Sequence, residues 1–478
     1  MTQKEVQKEE LDDWGEWHTS KKSMISYSFG SFGIELVGNA FGSLYFFFYE
    51  TELLVPGALI IAANIIFAIW NAINDPLMGY LSETPRKFWG KWGKRFPWMA
   101  ISLVPMYLCY FLLFAPPLGS GPIVYFAWMC AFLVLADTFY SMFFVNWQAM
   151  FPEKYRNDAA RRKGNVYKLI LAILSIIVGT LIPPEIYEYD VVQSYAVMGA
   201  VIFLIGSIAG VSVIYGSRED PARRAQQVRE GEESKEKFVQ TFKTAFGQGL
   251  RNKAFIGFIF LYFGNKVWDL FVLGSANYYA KWILGIPASD LTEIYIFVIL
   301  GIFTGVGIFS VISKKIGFYK TAVIGGLMES LCTIPLIFIN DVVLSYPFFF
   351  IVGIGNGAMW TMLAPILSDA LDSLAVQMKK RASGIYAGIY AFFGRLAIIL
   401  FTVLVIVIHE LTGFDAGAEA GKGVQTPLAD IGIIITIAVI PVIATALFTT
   451  LFAITFDVKG EKKIQIQEQL KVQDIGRN

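Results

Sequence analysis

Long apolar runs separated by short polar stretches dominate the pattern of this chain. A helix needs about 20 mostly apolar residues to cross the hydrocarbon layer of a membrane. One set of such segments lies near residues 24–50, 56–83, 98–116, 122–151, 165–184 and 191–215. A second set lies near residues 253–283, 290–313, 319–340, 346–372, 384–411 and 427–457. Lipid offers no hydrogen-bond partner to exposed backbone groups. We therefore expect all of these segments, about twelve, to be helices.

The division of these segments by a charged stretch predicts the fold. Residues 216–252 are rich in charge and poor in large apolar side chains, as expected of a cytoplasmic linker between an N-terminal six-helix half, 24–215, and a C-terminal half, 253–457. Residues 1–23 and 458–478 are then polar tails. Two six-helix halves around a polar linker are typical of an all-α membrane protein with twelve transmembrane helices in the major facilitator fold.

Basic residues cluster in alternate loops, which predicts the orientation of the chain. The clusters lie at Arg86–Arg95, Lys154–Lys168, in the linker, at Lys314–Lys320 and at Lys379–Arg381. Loops on the cytoplasmic side of a membrane carry an excess of lysine and arginine. We therefore expect a multi-pass protein of the cell membrane with both tails in the cytoplasm.

Composition narrows the class of function further. The 478 residues are 55% hydrophobic and 16% charged, against about 25% charged residues in ordinary soluble domains. The net charge of +1 gives no electrostatic reason to expect a nucleic-acid partner. Three scattered cysteines and two histidines form no disulfide framework and no metal pattern. We expect no cofactor, no bound metal and no enzymatic activity.

Charged and amide side chains inside an apolar segment mark the most informative position. Asn71 and Asp75 are four residues apart in the second segment and share one face of a helix. An ionisable group at the centre of a span costs about 2.5–3.5 kcal/mol on insertion scales, so it is a functional candidate. Amide and carboxylate oxygens suit sodium, and a desolvated carboxyl suits a proton. The structural alternative is that Asp75 caps or pairs near the end of its helix.

Two further charges in the first half are candidates for binding a solute. Glu35 lies in the first segment among glycines that permit close approach of another helix or a ligand. Lys168 opens the fifth segment, where it either extends to the membrane interface or reaches inward to a carboxylate.

The second half carries its own intramembrane charges. Lys266 and Asp269 are three residues apart and can form an ion pair on one helix face, either as a structural pair or as one that opens during transport. Trp360, Tyr390 and Arg395 supply aromatic rings and a planar guanidinium. Such groups suit a hydroxyl-rich or anionic solute, although membrane-buried aromatics often serve packing alone.

Three blocks of sequence resemble one transporter family. They are "NDPLMGYLSE" with "GKWGKRFPW" in the second segment and its loop, "NWQAMFPEKYRNDAARRKGNVYK" at 146–168, and "WTMLAPILSDALD" with "KKRASGIYAGIYAFFGR" at 360–395. The chain resembles the glycoside–pentoside–hexuronide:cation symporters, the melibiose-permease family, and the resemblance extends through both halves.

The resemblance implies roles for individual residues. Asp75 matches the inner of two cation-site acids, Asn71 stands in place of the outer acid, and Ser141 falls near a hydroxyl of that site. Glu35 corresponds to a sugar-binding acid. The remaining matches are Lys168 for a helix-five arginine, Arg395 for a helix-eleven lysine and Trp360 for a helix-ten aromatic. Phe144 departs from the family, because a second sugar-binding acid is expected there.

These features together predict cation-coupled symport, by sodium or proton, of a sugar, glycoside or uronide by alternating access. Basic groups such as Arg95 would close the cytoplasmic mouth by pairing with carboxylates such as Glu83 and Asp369. Two alternatives stay open within transport: a symporter of an amphiphilic, lysolipid-like substrate, and an uncoupled uniporter. A membrane enzyme or receptor would need a catalytic constellation or soluble domain that the sequence lacks. We expect a monomer whose partners are a small solute and the bilayer.

Overall fold

A computed structural model describes residues 19–42, 44–155, 158–221, 224, 247–378 and 383–472. The long helices of the first part of the chain are α1 (Lys21–Phe41), α2 (Gly57–Glu83), α3 (Phe96–Leu113), α4 (Pro122–Lys154), α5 (Asp158–Leu181) and α6 (Val192–Gly216). Those of the second part are α7 (Lys253–Tyr278), α8 (Leu291–Ile316), α9 (Phe318–Thr333), α10 (Val342–Met378), α11 (Ser383–Thr412), α12 (Pro427–Thr455) and α13 (Glu461–Val472).

Local capping explains where several helices begin. Ser20 accepts a hydrogen bond from the backbone N–H of Ser23 at 3.2 Å, and Asn252 accepts one from Phe255 at 3.0 Å. Thr426 likewise accepts from Ala429 at 3.2 Å. A side-chain oxygen at this position satisfies one of the unpaired N–H groups of the first turn. Between α8 and α9, Gly317 has a φ of 82°, a left-handed conformation that favours glycine.

Eleven of the described helices are long and apolar enough to cross a membrane by length and composition. The predicted first segment is also helical, as α1, and it carries Glu35, Asn39 and several serines. Exposed large apolar side chains such as Ile123, Ile208 and Ile454 are spread along these helices. That distribution suits helices that face lipid.

The described residues form two compact units by contact. The first is drawn from Met1–Phe48, Ile69–Tyr187 and Val191–Glu236, and the second from Tyr49–Ala68, Glu188–Asp190 and Lys237–Asn478. The helix α2 therefore contributes to both units. These two units do not test the predicted six-helix halves, tails and linker, which stay predictions.

Two hydrogen bonds join α1 to α4 in the core of the first unit. The hydroxyl of Tyr27 donates to the carbonyl of Trp147 at 2.5 Å, and the indole N–H of Trp147 donates to the carbonyl of Tyr27 at 3.0 Å. Gly30 permits this approach, because a Cβ there would lie 2.2 Å from the Trp147 indole nitrogen. These contacts fix α4, which carries part of the candidate site.

Backbone contact between α8 and α10 holds part of the second unit. A Cβ at Gly301 would lie 2.1 Å from the carbonyl oxygen of Phe350, and one at Gly353 would lie 2.2 Å from that of Val298. Small residues let membrane helices approach this closely. The glycine-rich stretch at 353–357 is therefore a helix-packing surface within α10.

Candidate functional site

The polar residues of α2 meet those of α4 inside the first unit. Asn71, Asn74 and Asp75 lie at spacings of three and four on α2, so they share a helix face. Asp137 and Ser141 have the same spacing of four on α4. We call these five residues the α2–α4 site.

Hydrogen bonds join the two helices within the α2–α4 site. Ser141 Oγ donates to Asp75 Oδ1 at 2.5 Å. The side-chain amide of Asn74 donates to the backbone carbonyl oxygen of Asp137 at 2.8 Å and to Asp137 Oδ2 at 2.9 Å. The amide of Asn71 donates to Asp137 Oδ1. Asn74, Asp137 and Ser141 are buried, whereas Asn71 and Asp75 are half-buried.

Two oxygens of the α2–α4 site have no hydrogen-bond partner. The side-chain oxygens of Asn71 and Asn74 are buried and accept no hydrogen bond. A buried polar atom without a partner is unfavourable and requires an explanation. Amide, hydroxyl and carboxylate oxygens are the ligands that hard cations prefer. The site therefore brings together groups suited to a small cation.

The α2–α4 site differs from an ordinary metal centre. Among the described residues, no group of three or more His, Cys, Asp and Glu side chains is arranged to hold a metal ion. Neutral amide oxygens and a hydroxyl supply much of this site instead. Such a ligand set carries less negative charge than a cluster of anionic ligands.

Two residues of the site escaped the sequence prediction, which named Asp75, Asn71 and Ser141. Asp137 was visible as a carboxylate inside a span, and its spacing to Ser141 repeats the spacing of Asn71 to Asp75. Asn74 precedes Asp75 directly and was visible as an intramembrane amide. What the sequence lacked was the pairing of α2 with α4, since Asn71 and Asp137 are 66 residues apart.

The predicted substrate residues of the first unit lie on α1 and α5. Glu35 is half-buried, and its carbonyl accepts from the Asn39 amide at 2.7 Å. The ammonium of Lys168 lies 4.3 Å from the Trp147 ring centre and 4.5 Å from that of Phe151. Cation–π contact of this kind holds a lysine over aromatic faces. Lys168 thus lies against α4, with its ammonium over the aromatic side chains of that helix.

The predicted substrate residues of the second unit lie on α10 and α11. Trp360 is 42% exposed, which leaves much of its ring accessible. Tyr390 packs edge-on against Tyr262 and Phe258, with ring centres 5.1 and 5.3 Å away. Arg395 lies further along α11 and is half-buried.

The predicted gating residues lie in several separate contacts. Lys266 Nζ lies 2.9 Å from Asp269 Oδ2. Arg95 is buried, and its Nη2 lies 2.9 Å from Glu153 Oε1. Asp369 Oδ2 lies 2.6 Å from Lys463 Nζ of α13.

Part of the predicted gate lies outside the described part of the chain. The side chain of Glu83 is not among the described ones, and neither are the basic residues at 379–381. The carboxylate partner described for Arg95 is Glu153, and the lysine on Asp369 comes from the C-terminal helix.

Comparison with known proteins identifies the family. A family described as MFS/sugar transport protein matches residues 26–459. The sodium-dependent lysophosphatidylcholine symporter 1-A of Danio rerio is 23% identical over 94% of this chain and 88% of that protein. The uncharacterized symporter YjmB of Bacillus subtilis is 23% identical over 94% of this chain and 95% of that protein.

A solved structure supports the fold. The nucleoside transporter NupG, solved by crystallography as a mutant, matches with a TM-score of 0.61 over 91% of this chain and 99% of that chain, at 12% identity. The all-helical architecture of the described residues and the candidate spans agree with this likeness. The predicted all-α membrane class with the major facilitator fold is confirmed. Since the family match covers most of its length, the chain belongs to the MFS/sugar transport protein family.

Proposed function

We propose that this protein is a cation-coupled symporter that works by alternating access, with sodium bound at the α2–α4 site. The observation that carries the proposal is the pair of buried amide oxygens, on Asn71 and Asn74, that accept no hydrogen bond beside two carboxylates. Amide oxygens do not titrate, so they favour a metal cation over a proton as the coupling ion. Relatives named as sodium-dependent symporters support the same choice.

Coupling requires that sodium and solute favour the same state of the protein. If sodium tightens solute binding by some factor, solute tightens sodium binding by the same factor. In this mechanism Asp75 and Asp137 provide the negative charge, and Asn71, Asn74 and Ser141 complete the oxygen ligands. Loss of the sodium then changes how α2 packs on α4.

The solute that we propose first is a sugar, glycoside or uronide. Glu35 and Trp360 suit hydroxyl groups and a sugar ring face, and Lys168 and Arg395 suit a carboxylate. The family description as sugar transport proteins supports this class.

An amphiphilic, lysolipid-like solute is the second candidate, and one contact favours it. Phe144 stacks on Tyr140 with ring centres 5.6 Å apart and an interplanar angle of 15°. This aromatic pair adjoins Ser141 on α4 and provides an apolar surface where the resemblance expects an acid. A relative named as a lysophosphatidylcholine symporter supports this candidate.

Sodium binding tests the proposal without knowledge of the solute. A ligand that binds only the folded state raises the thermal midpoint of unfolding. We expect sodium chloride to raise the midpoint of purified protein above that in potassium chloride at equal ionic strength. Asp137→Asn should abolish the sodium effect, and Glu185→Gln, which removes an exposed carboxylate of the same unit, should retain it. Equal sodium effects in both variants would remove the α2–α4 site from the mechanism.

We further infer that the protein resides in the cell membrane with both termini in the cytoplasm, because the basic loops alternate with loops that carry few basic residues. Tags at the two termini should become accessible to antibody only after the cell membrane is made permeable.

We also propose that the protein acts as a monomer and not as an enzyme. Light scattering from the detergent-solubilised protein at the mass of one chain is the expected result.

A further inference from the structure

A second polar cluster lies in the second unit. It consists of Asn265, Lys266 and Asp269 on α7, Glu329 on α9 and Asn356 on α10. We call these residues the Glu329 cluster. The proposed symport mechanism assigns no role to Glu329.

Hydrogen bonds surround only one oxygen of Glu329. The amides of Asn265 and Asn356 each donate to Oε1 at 3.0 Å. The second oxygen, Oε2, is buried and makes no hydrogen bond. The whole side chain has 0% exposure. An ionised carboxylate placed here would hold part of its charge on an oxygen without any partner, which is strongly unfavourable.

The charges of the Glu329 cluster do not balance when all its groups are ionised. Lys266 neutralises Asp269 at 2.9 Å, so a charge on Glu329 would be in excess. The charged groups that act on Glu329 are Asp269 and Lys266, both on α7. Cys332, on α9 itself, is a further titratable group beside Glu329. Of the helices that pack against α9, α10 contributes the neutral amide of Asn356. One more positive charge would make the cluster neutral.

The geometry favours a proton over a metal cation as that charge. The nearest groups to Oε1 are amide N–H donors, which repel a cation and stabilise an oxygen acceptor. Hard metal cations need several oxygen ligands around them. Asn265 Oδ1 is also buried without a hydrogen-bond partner, so the Glu329 cluster offers two such oxygens to a metal cation. A proton needs only one of them, Oε2.

The Glu329 cluster extends from the buried Glu329 to the more exposed Lys266. Lys266 is 37% exposed, whereas Asp269 is 13% exposed. The Asn356 amide lies 3.1 Å from Asp269 Oδ1 as well as 3.0 Å from Glu329 Oε1. Because both carboxylates share this amide, a charge on Glu329 would compete with Asp269 for it. A charge on Glu329 would therefore alter the contacts among α7, α9 and α10.

We propose that Glu329 is a proton-binding site: its Oε2 holds a proton at neutral pH, and release of that proton to water changes the contacts of α7, α9 and α10. The site is separate from the proposed sodium site and lies in the other unit. It gives the second unit an ionisable group whose state can change during a transport cycle.

Infrared spectroscopy of the reconstituted protein tests this inference without any solute. A protonated carboxyl has a carbonyl stretch at a higher frequency than the bands of ionised carboxylates and amides. We expect such a band in the wild type at neutral pH, its loss at high pH, and its absence from Glu329→Gln at every pH. The control Glu293→Gln removes an exposed carboxyl of α8 and should keep the band. A wild type without the band at neutral pH would refute the proposal.

Neighbouring variants give a second and directional test. Lys266 is positively charged and pairs with Asp269, whose negative charge shares the Asn356 amide with Glu329; a positive neighbour favours the ionised form of a carboxyl and a negative neighbour disfavours it. Lys266→Gln should therefore move the loss of the band to higher pH, and Asp269→Asn should move it to lower pH. Shifts in the same direction, or none, would contradict the assignment.

Sodium distinguishes this site from the α2–α4 site. Addition of sodium at constant pH should leave the Glu329 band in place, while the sodium-dependent thermal midpoint should persist in Glu329→Gln. If sodium removes the band, the cluster takes a metal cation and the assignment of a proton site is wrong. Failure of sodium binding at the α2–α4 site would leave this result unaffected.

Discussion

Asp137 illustrates, at the scale of single residues, how this chain accommodates a buried carboxylate. Its side chain accepts hydrogen bonds from Asn71 and Asn74. Amides are neutral, so these bonds solvate the carboxylate without removing its charge. In the proposed mechanism sodium offsets one of the two carboxylate charges of the site and binds the two amide oxygens that accept no hydrogen bond. The same arrangement explains why amides, not only acids, occupy this face of α2.

The hydroxyl of Ser141 gives a test at this scale. Ser141→Ala removes the donor that lies 2.5 Å from Asp75 Oδ1 and one oxygen of the site. We expect sodium affinity to fall by about tenfold, which corresponds to about 1.4 kcal/mol. The sodium dependence of the thermal midpoint measures this change. Ser141→Thr keeps the hydroxyl and should bind sodium nearly as the wild type does; equal losses in both variants would contradict the role of the hydroxyl.

A second buried carboxylate, Glu50, has a structural role in the second unit. It accepts from the hydroxyl of Tyr278 and lies 2.9 Å from His409 Nδ1. Glu50→Ala would leave both groups buried without this partner. This lowers the free energy of unfolding by about 1–3 kcal/mol for each group. We expect a clearly lower thermal midpoint.

The matched control for Glu50 is Glu410, the exposed neighbour of His409 in sequence. Glu410→Gln should leave the thermal midpoint almost unchanged, because surface substitutions usually have effects within about 0.5 kcal/mol. If the two variants unfold alike, the Glu50 contacts do not stabilise the second unit.

The sequence predicted only part of the site at the residue scale. Helical spacing was enough to place Asn71 and Asp75 on one face, because both lie within one element. It could not place Asp137 beside them, since that contact depends on which faces α2 and α4 turn toward each other. For the same reason, the sequence did not predict the Glu329 cluster, whose members come from three helices.

At the scale of elements, apolar length predicted the spans well. The predicted segment 56–83 corresponds to α2 at Gly57–Glu83, because the apolar run is bounded by proline and by charge. The segment 346–372 was too short, since α10 extends over Val342–Met378. Pro347 and Pro365 lie inside α10 without ending it, as membrane helices tolerate proline.

Local widening of helices was not predictable from the pattern. The chain forms π-helical turns at Phe48–Glu52, Tyr279–Leu284 and Ile435–Val439. Such turns are rare and frequently lie at functional sites. Apolar residues on all sides of a span leave no periodicity that would reveal them.

Packing of α8 on α10 gives a prediction at the element scale. Gly353→Ala would place a Cβ 2.2 Å from the carbonyl oxygen of Val298, so the helices must separate. Overpacking of this kind costs about 1–3 kcal/mol, and we expect a lower thermal midpoint. Gly307→Ala on α8 is the control, because a Cβ there meets nothing within 4 Å. A Gly353→Ala variant as stable as this control would show that α8 and α10 are not held at this distance.

At the scale of the whole molecule, α2 has a distinctive position. The residues of α2 up to Ala68 belong to the second unit, and the residues of α2 from Ile69 onward belong to the first. Asn71 and the rest of the α2 side of the site follow directly after this change. A cation that binds α2 to α4 therefore acts on a helix that contributes to both units. This placement suits an ion that controls a conformational cycle, as alternating access requires.

The most direct test of cation-coupled symport is solute uptake into proteoliposomes under an imposed sodium gradient. Glycosides, uronides and a lysolipid would be compared, with wild type, Asp137→Asn and Glu185→Gln assayed in parallel. Cation-coupled symport predicts that an inward sodium gradient drives accumulation of one solute class by wild type and Glu185→Gln, and that Asp137→Asn shows none. Equal uptake with and without the gradient in all three proteins would contradict it and would identify an uncoupled uniporter.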